Sequence, residues 1–122
     1  MDDFVHRLWK LAQSLPHYRD KTTFIITADH GRGSGPKDWT SHGEKVANSE
    51  NDWIAVIGPD ATPVGERSNT APHTQSQIAA TIAALLGEDY HAAFPQTGTP
   101  IADVLAGGKP AQAGKVNSGS KQ

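Results

Sequence analysis

Thr23-Phe24-Ile25-Ile26-Thr27-Ala28-Asp29-His30-Gly31 is the stretch on which the reading of this chain turns. Its first five residues are β-branched or aromatic, as in a buried strand, and the apolar run stops just where a carboxylate and an imidazole stand side by side. Gly31, Gly33 and Gly35 follow and leave the backbone free to turn sharply. His42, in Thr40-Ser41-His42-Gly43, then returns after a loop long enough to fold back. Asp29, His30 and His42 are therefore three candidate metal ligands converging at a strand end.

Two readings of the Asp29-His30 pair stand on the residues alone. An Asp-His pair after a strand serves as a helix cap or turn device, or as a pair of metal ligands. For an isolated pair the cap or turn is the commoner role; the glycine-flanked loop, the third histidine in a similar glycine context and the absence of a helical pattern after Asp29 bring the metal reading level with it. Asp and neutral His suit zinc, manganese or iron, and open α/β sheets place their sites at strand ends. Arg32 and Lys37, in the same loop, are either solvated charges or contacts for an anionic substrate.

On the N-terminal side, Phe4, Leu8, Leu11 and Leu15 recur at helical spacing, with Val5 and Ala12 widening the face and Asp2 or Asp3 as cap. Pro16 stops this helix near Leu15. On the C-terminal side, the loop Asp29–Lys45 has the length and composition of a functional loop. Trp53-Ile54-Ala55-Val56-Ile57 is a second strand in the same sheet, halted by Gly58-Pro59-Asp60. Ala61 to Pro72 reads as an exposed excursion. Thr74-Gln75-Ser76-Gln77 matches a capping box, Ile78, Ile82, Leu85 and Leu86 form the stripe behind it, and Gly87 terminates the helix. Glu88–Gln96 reads as a loop, Thr99-Pro100-Ile101 leads into a short apolar turn ending at Leu105, and residues 106–122 read as a disordered tail. Trp39 and Trp53 are expected to pack, His73 to pack at the start of the second helix, and His6, His17 and His91 to lie on the surface.

The 122 residues, 36% of them apolar, suffice for one small α/β domain. A net charge of −2 without a basic run gives no electrostatic reason to expect nucleic acid or an anionic membrane as partner. No cysteine is present, so a metal must be held by nitrogen and oxygen donors. Neither a membrane span nor a signal peptide is visible.

Thr27-Ala28-Asp29-His30-Gly31, the glycine-rich loop and Thr40-Ser41-His42-Gly43 resemble the C-terminal metal-binding part of the alkaline phosphatase superfamily. Its members include phosphatases, sulfatases, phosphodiesterases, phosphopentomutases and cofactor-independent phosphoglycerate mutases. Thr74–Gly87 resembles the helix that follows the metal strands there, and the resemblance covers roughly residues 2–105. It implies that the chain is part of a three-layer α/β/α sandwich, residues 1–105 being the C-terminal part of such a domain. It also implies hydrolysis or transfer of a small-molecule phosphate or sulfate ester, with zinc as cofactor, or manganese or calcium, and a periplasmic or extracellular setting. By motif, Asp29 and His30 resemble the ligands of the nucleophile-side ion and His42 a ligand of the second ion. The family's nucleophile and further Asp and His ligands precede the Asp-His-Gly strand and have no counterpart here. The chain is thus expected to be a fragment with part of a two-metal site and little activity alone. A non-catalytic metal-binding or interaction fragment of the same fold is the alternative.

Overall fold

The computed structural model describes residues 2–106. Its elements are helix α1 (Asp2–Ser14), strands β1 (Phe24–Thr27) and β2 (Ile54–Ile57), helices α2 (Ser76–Leu85) and α3 (Tyr90–Ala93), and a 3-10 turn at Ala102–Val104. The chain divides into two compact units, Met1–Pro59 and Asp60–Gln122. Among the described residues no helix is long and apolar enough to cross a membrane. The expected tail lies, from residue 107 on, outside the described residues.

The first unit joins α1 to a two-stranded ribbon. Asp2 and Asp3 sit in the first turn of α1, where carboxylates favour the helix dipole. The helix ends two residues before Pro16. There the Ser14 hydroxyl donates to the Leu11 carbonyl at 2.7 Å, and the Tyr18 and Arg19 N–H groups both donate to the Leu15 carbonyl, at 3.0 and 2.9 Å. β1 and β2 pair antiparallel, with Phe24 opposite Ile57, Ile25 opposite Val56, Ile26 opposite Ala55 and Thr27 opposite Ile54. The two apolar runs thus share a sheet, as read from the sequence, and the chain between them must reverse direction. Among the described residues the sheet holds these two strands.

Which face of α1 is covered differs from the sequence reading. Ala12 is buried and Trp9 meets Phe24 edge to face, with ring centroids 5.4 Å apart. Phe4, Leu8, Leu11 and Leu15, the expected core stripe, are all exposed. The contact with β1 therefore runs through Trp9, a residue off that stripe, because its ring is large enough to reach the strand. Phe4, Val5 and Leu8 instead line one side of an apolar groove whose other side is Thr23–Ile26. Trp39 and Trp53, expected to pack, are 55% and 52% exposed.

The second unit is organised around one hydroxyl. Thr81 is fully buried on α2; its Oγ1 donates to the Gln77 carbonyl at 2.7 Å and accepts from the Ile101 N–H at 3.0 Å. That pair of bonds ties the helix to the segment that buries Ile101 and Leu105. Gln77 adds a bond from Nε2 to the Thr99 carbonyl at 3.0 Å. Its other side-chain atom, Oε1, accepts from the Thr74 N–H at 2.9 Å, which is one half of the expected capping box. The Thr74 hydroxyl meets Ser76 Oγ at 2.8 Å, and the Gln77 N–H donates to the Thr74 carbonyl at 3.0 Å.

At the other end of α2, Gly87 terminates the helix as expected. Its φ is +86°, and the Gly87 and Glu88 N–H groups donate to the Ala84 and Ala83 carbonyls at 3.1 and 2.9 Å, the Schellman pattern. The buried residues of α2 are Ala80 and Thr81, while Ile82 and Leu86 of the expected stripe are exposed. The supposed loop at Glu88–Gln96 contains the single helical turn α3, capped by Asp89, whose carboxylate accepts from the Ala92 N–H at 2.9 Å. His73, expected to pack, is exposed, and His91, expected on the surface, is half-buried with its Nδ1 enclosed.

Thr81→Val keeps the shape of the side chain and removes both bonds, leaving the buried Ile101 N–H unpaired. Urea unfolding should show a loss of about 1–3 kcal/mol with an unchanged slope.

Candidate metal centre

All five site residues named from the sequence lie on the connection between β1 and β2. The connection is pinned across its base by backbone bonds. The Gly31 N–H donates to the Ser49 carbonyl at 2.8 Å, and the Gly33 N–H donates to the Ser41 carbonyl at 3.0 Å. The second of these sets Ser41 and His42 beside the Gly31–Gly33 backbone. The returning limb is fastened by Ser49, which is buried and donates from Oγ to the Gly43 carbonyl at 2.7 Å. Within the loop, Asp38 Oδ1 accepts from the Gly35 N–H at 2.7 Å.

Gly31 is required here for close approach. A Cβ at this position would meet the carbonyl oxygens of Asn51 and Asn48, the latter at 2.7 Å. Its φ is not in the left-handed region; Asn48, across from it, takes that conformation instead, with φ +69°. The glycine expected to let the chain turn thus lets two backbone segments touch.

That framework brings two of the three expected ligands into direct contact. The His30 and His42 rings stack with centroids 3.9 Å apart and planes 21° from parallel. Asp29 lies beside His30, with Oδ2 3.4 Å from His30 Nε2. The other ring nitrogen, Nδ1, is 2.7 Å from the Gly31 carbonyl oxygen. A carbonyl can only accept, so Nδ1 carries a hydrogen and, in the neutral ring, Nε2 carries the lone pair. This is how metal-binding histidines are commonly held, with one nitrogen donating to a carbonyl and the other left to the ion.

The 3.4 Å between Nε2 and Oδ2 has a further meaning. It is long for a charge-assisted hydrogen bond, which runs about 2.7–2.9 Å. Two donors each about 2.1 Å from one tetrahedral ion stand about 3.4 Å apart. His30 Nε2 and Asp29 Oδ2 therefore stand at the spacing of two donors to one shared cation. Both side chains are accessible, His30 at 42% and Asp29 at 87%, so the pair has room to accept an ion and little packing to hold it rigid.

Among the described residues no three His, Asp or Glu side chains are gathered tightly enough to form a ready metal shell. Arg32 and Lys37 are exposed loop residues, accessible to an anion.

One carboxylate was missed in the sequence. Asp52 precedes β2, and its Oδ2 lies 3.1 Å from the Thr27 hydroxyl at the end of β1. Only the strand register, which no local motif encodes, shows that it stands at the same end of the ribbon as Asp29.

No protein-family model matches the chain, and neither a curated protein nor a solved structure is similar to it.

Gly31→Ala should disrupt the base of the loop at a cost of about 1–3 kcal/mol in urea unfolding. The same variant should lose the ring-stacking shifts of His30 and His42 in proton NMR spectra.

Proposed function

We propose that the chain carries part of the divalent-metal site of a hydrolase or phosphotransferase acting on phosphate or sulfate esters. The observation that carries the reading is the Asp29–His30 pair. Asp29 Oδ2 lies 3.4 Å from His30 Nε2, and the ring's other nitrogen lies 2.7 Å from the Gly31 carbonyl oxygen. The donor set is nitrogen and carboxylate oxygen, which suits zinc, with manganese or calcium as alternatives of harder character. His42 is the donor for a neighbouring ion, since its ring stacks on His30 instead of aiming at the same point. Sites with two ions about 3.5–4 Å apart clamp the attacking and leaving oxygens of an in-line displacement.

The resemblance of Asp29-His30-Gly31 and His42-Gly43 to the alkaline phosphatase superfamily supplies the reaction class, and with it the proposal of a three-layer sandwich. Arg32 and Lys37 then become contacts for the anionic part of the ester. No residue at the recognised motif positions acts as nucleophile, so the catalytic step belongs to groups this motif does not include. The second reading, a metal-binding or interaction fragment without catalysis, is favoured by the same absence and by the openness of the site.

Calorimetric titration of the chain with zinc and with manganese tests the ligand assignment. Saturable binding is expected, weak because the shell is open, and lost in the double variant Asp29→Ala, His30→Ala. Equal behaviour of the two proteins would remove the metal reading. Phosphatase or phosphodiesterase turnover abolished by the same double variant would decide for the enzyme over the non-catalytic fragment.

A further inference from the structure

We infer that the chain forms a two-fold dimer through the outer edge of β1 and the uncovered stripe of α1. Among the described residues β1 pairs on one side only, with β2. It reads Phe24-Ile25-Ile26-Thr27, without the lysine, proline or bulge that commonly guards a sheet edge. The apolar groove of Phe4, Val5, Leu8 and Thr23–Ile26 runs along this edge, since residues of both faces of β1 line it and none of β2 does. Phe24 meets Trp9 and so faces α1; alternation puts Ile26 on that face and Ile25 on the other.

The occupant that fits the groove is a second copy of this chain. A two-fold axis perpendicular to the ribbon and centred on Ile25 sets two β1 strands antiparallel, with Phe24 of one opposite Ile26 of the other. Residues that face α1 then meet residues that face α1, and the two ribbons become one four-stranded sheet with both helices on the same side. Phe4 and Leu8, which overhang the edge, cover the strand of the other copy, and the two α1 helices run antiparallel. The charges of α1 select this arrangement. Asp2 and Asp3 occupy its first turn, Arg7 and Lys10 come later, and no acid follows them in the helix. Antiparallel packing sets the acidic end of each helix against the basic stretch of the other and opposes their dipoles, whereas a parallel pair brings like charges together. The contact of Arg7 with Asp3 in its own helix is 4.0 Å long and highly exposed, so it does not commit either group.

The area is of the right order. Phe4, Leu8, Leu11 and Leu15 are 41–66% exposed. Four large apolar side chains at that exposure present on the order of 400 Å², about half of the roughly 800 Å² that each partner buries in a standard interface. The groove walls and the strand pairing add to this, for a dimer of about micromolar strength. The cover also meets a deficit, since Ala12 is the one buried apolar residue among those described in the first unit and a two-stranded ribbon is marginal by itself.

Sedimentation of the full chain from low micromolar to submillimolar concentration tests this and should show a monomer–dimer equilibrium. Leu8→Glu should weaken association at least about tenfold. The pair Asp2→Lys, Asp3→Lys and the pair Arg7→Glu, Lys10→Glu should each do the same, and an equal mixture of these two variants should regain dimers, because opposite charges again meet. A chain that stays monomeric throughout, a Leu8→Glu variant that dimerises as before, or a mixture that associates no better than its separate components overturns the proposal. The unaltered protein supplies a measurement free of any folding defect. A sample of isotope-labelled and unlabelled chains should give intermolecular proton contacts between β1 strands and from Phe4 and Leu8 to β1, and a dimer whose contacts lie elsewhere overturns the assignment.

Discussion

Two backbone hydrogen bonds, Gly31 to Ser49 at 2.8 Å and Gly33 to Ser41 at 3.0 Å, are the constraint from which the candidate centre follows. The connection between β1 and β2 is long, polar and largely exposed, and ordering it costs backbone entropy at every residue. These bonds divide it into short spans and fix where its limbs meet. One holds Asp29 and His30 at the mouth of the ribbon; the other lays His42 against His30. Gly31 is essential to the first because a side chain there would occupy the space of the Asn48 and Asn51 carbonyls.

The orientation of His30 converts that scaffold into chemistry. Its bond to the Gly31 carbonyl links the ring to the same glycine that sets the loop base. Backbone geometry and the choice of ring nitrogen are thus decided at one residue. Asp29 then faces a lone pair rather than a hydrogen whenever the ring is neutral, an arrangement that favours a cation between them. Removing water from such a site would strengthen the attraction, and its exposure is the physical reason to expect weak binding by this chain alone.

Much of the local structure was legible in the residues. The apolar runs ending at Thr27 and Ile57, the stop before Pro16 and the left-handed Gly87 all depend on a few neighbouring residues, and they fall where the patterns place them. The convergence of His30 and His42 was legible as well, because glycines flank both. Burial was not. Helical spacing identifies Phe4, Leu8, Leu11 and Leu15 as one face, but whether a face is covered depends on what packs against it; here Phe4 and Leu8 line an open groove, and Leu11 and Leu15 are exposed. The role of Thr81 was hidden for a related reason: its value lies in a partner twenty residues away, Ile101. The contact of Asp52 with the Thr27 hydroxyl was hidden too, since it follows from the antiparallel pairing and from no spacing in the sequence.

The central claim is that His30 is held by the Gly31 carbonyl with Nε2 presented to a metal shared with Asp29. Long-range proton–nitrogen NMR of the histidine rings, recorded before and during zinc addition, tests it most directly. The account predicts the His30 tautomer with its hydrogen on Nδ1, and a zinc-dependent shift concentrated on Nε2. A His30 ring protonated on Nε2, or one whose nitrogens ignore zinc, would contradict it.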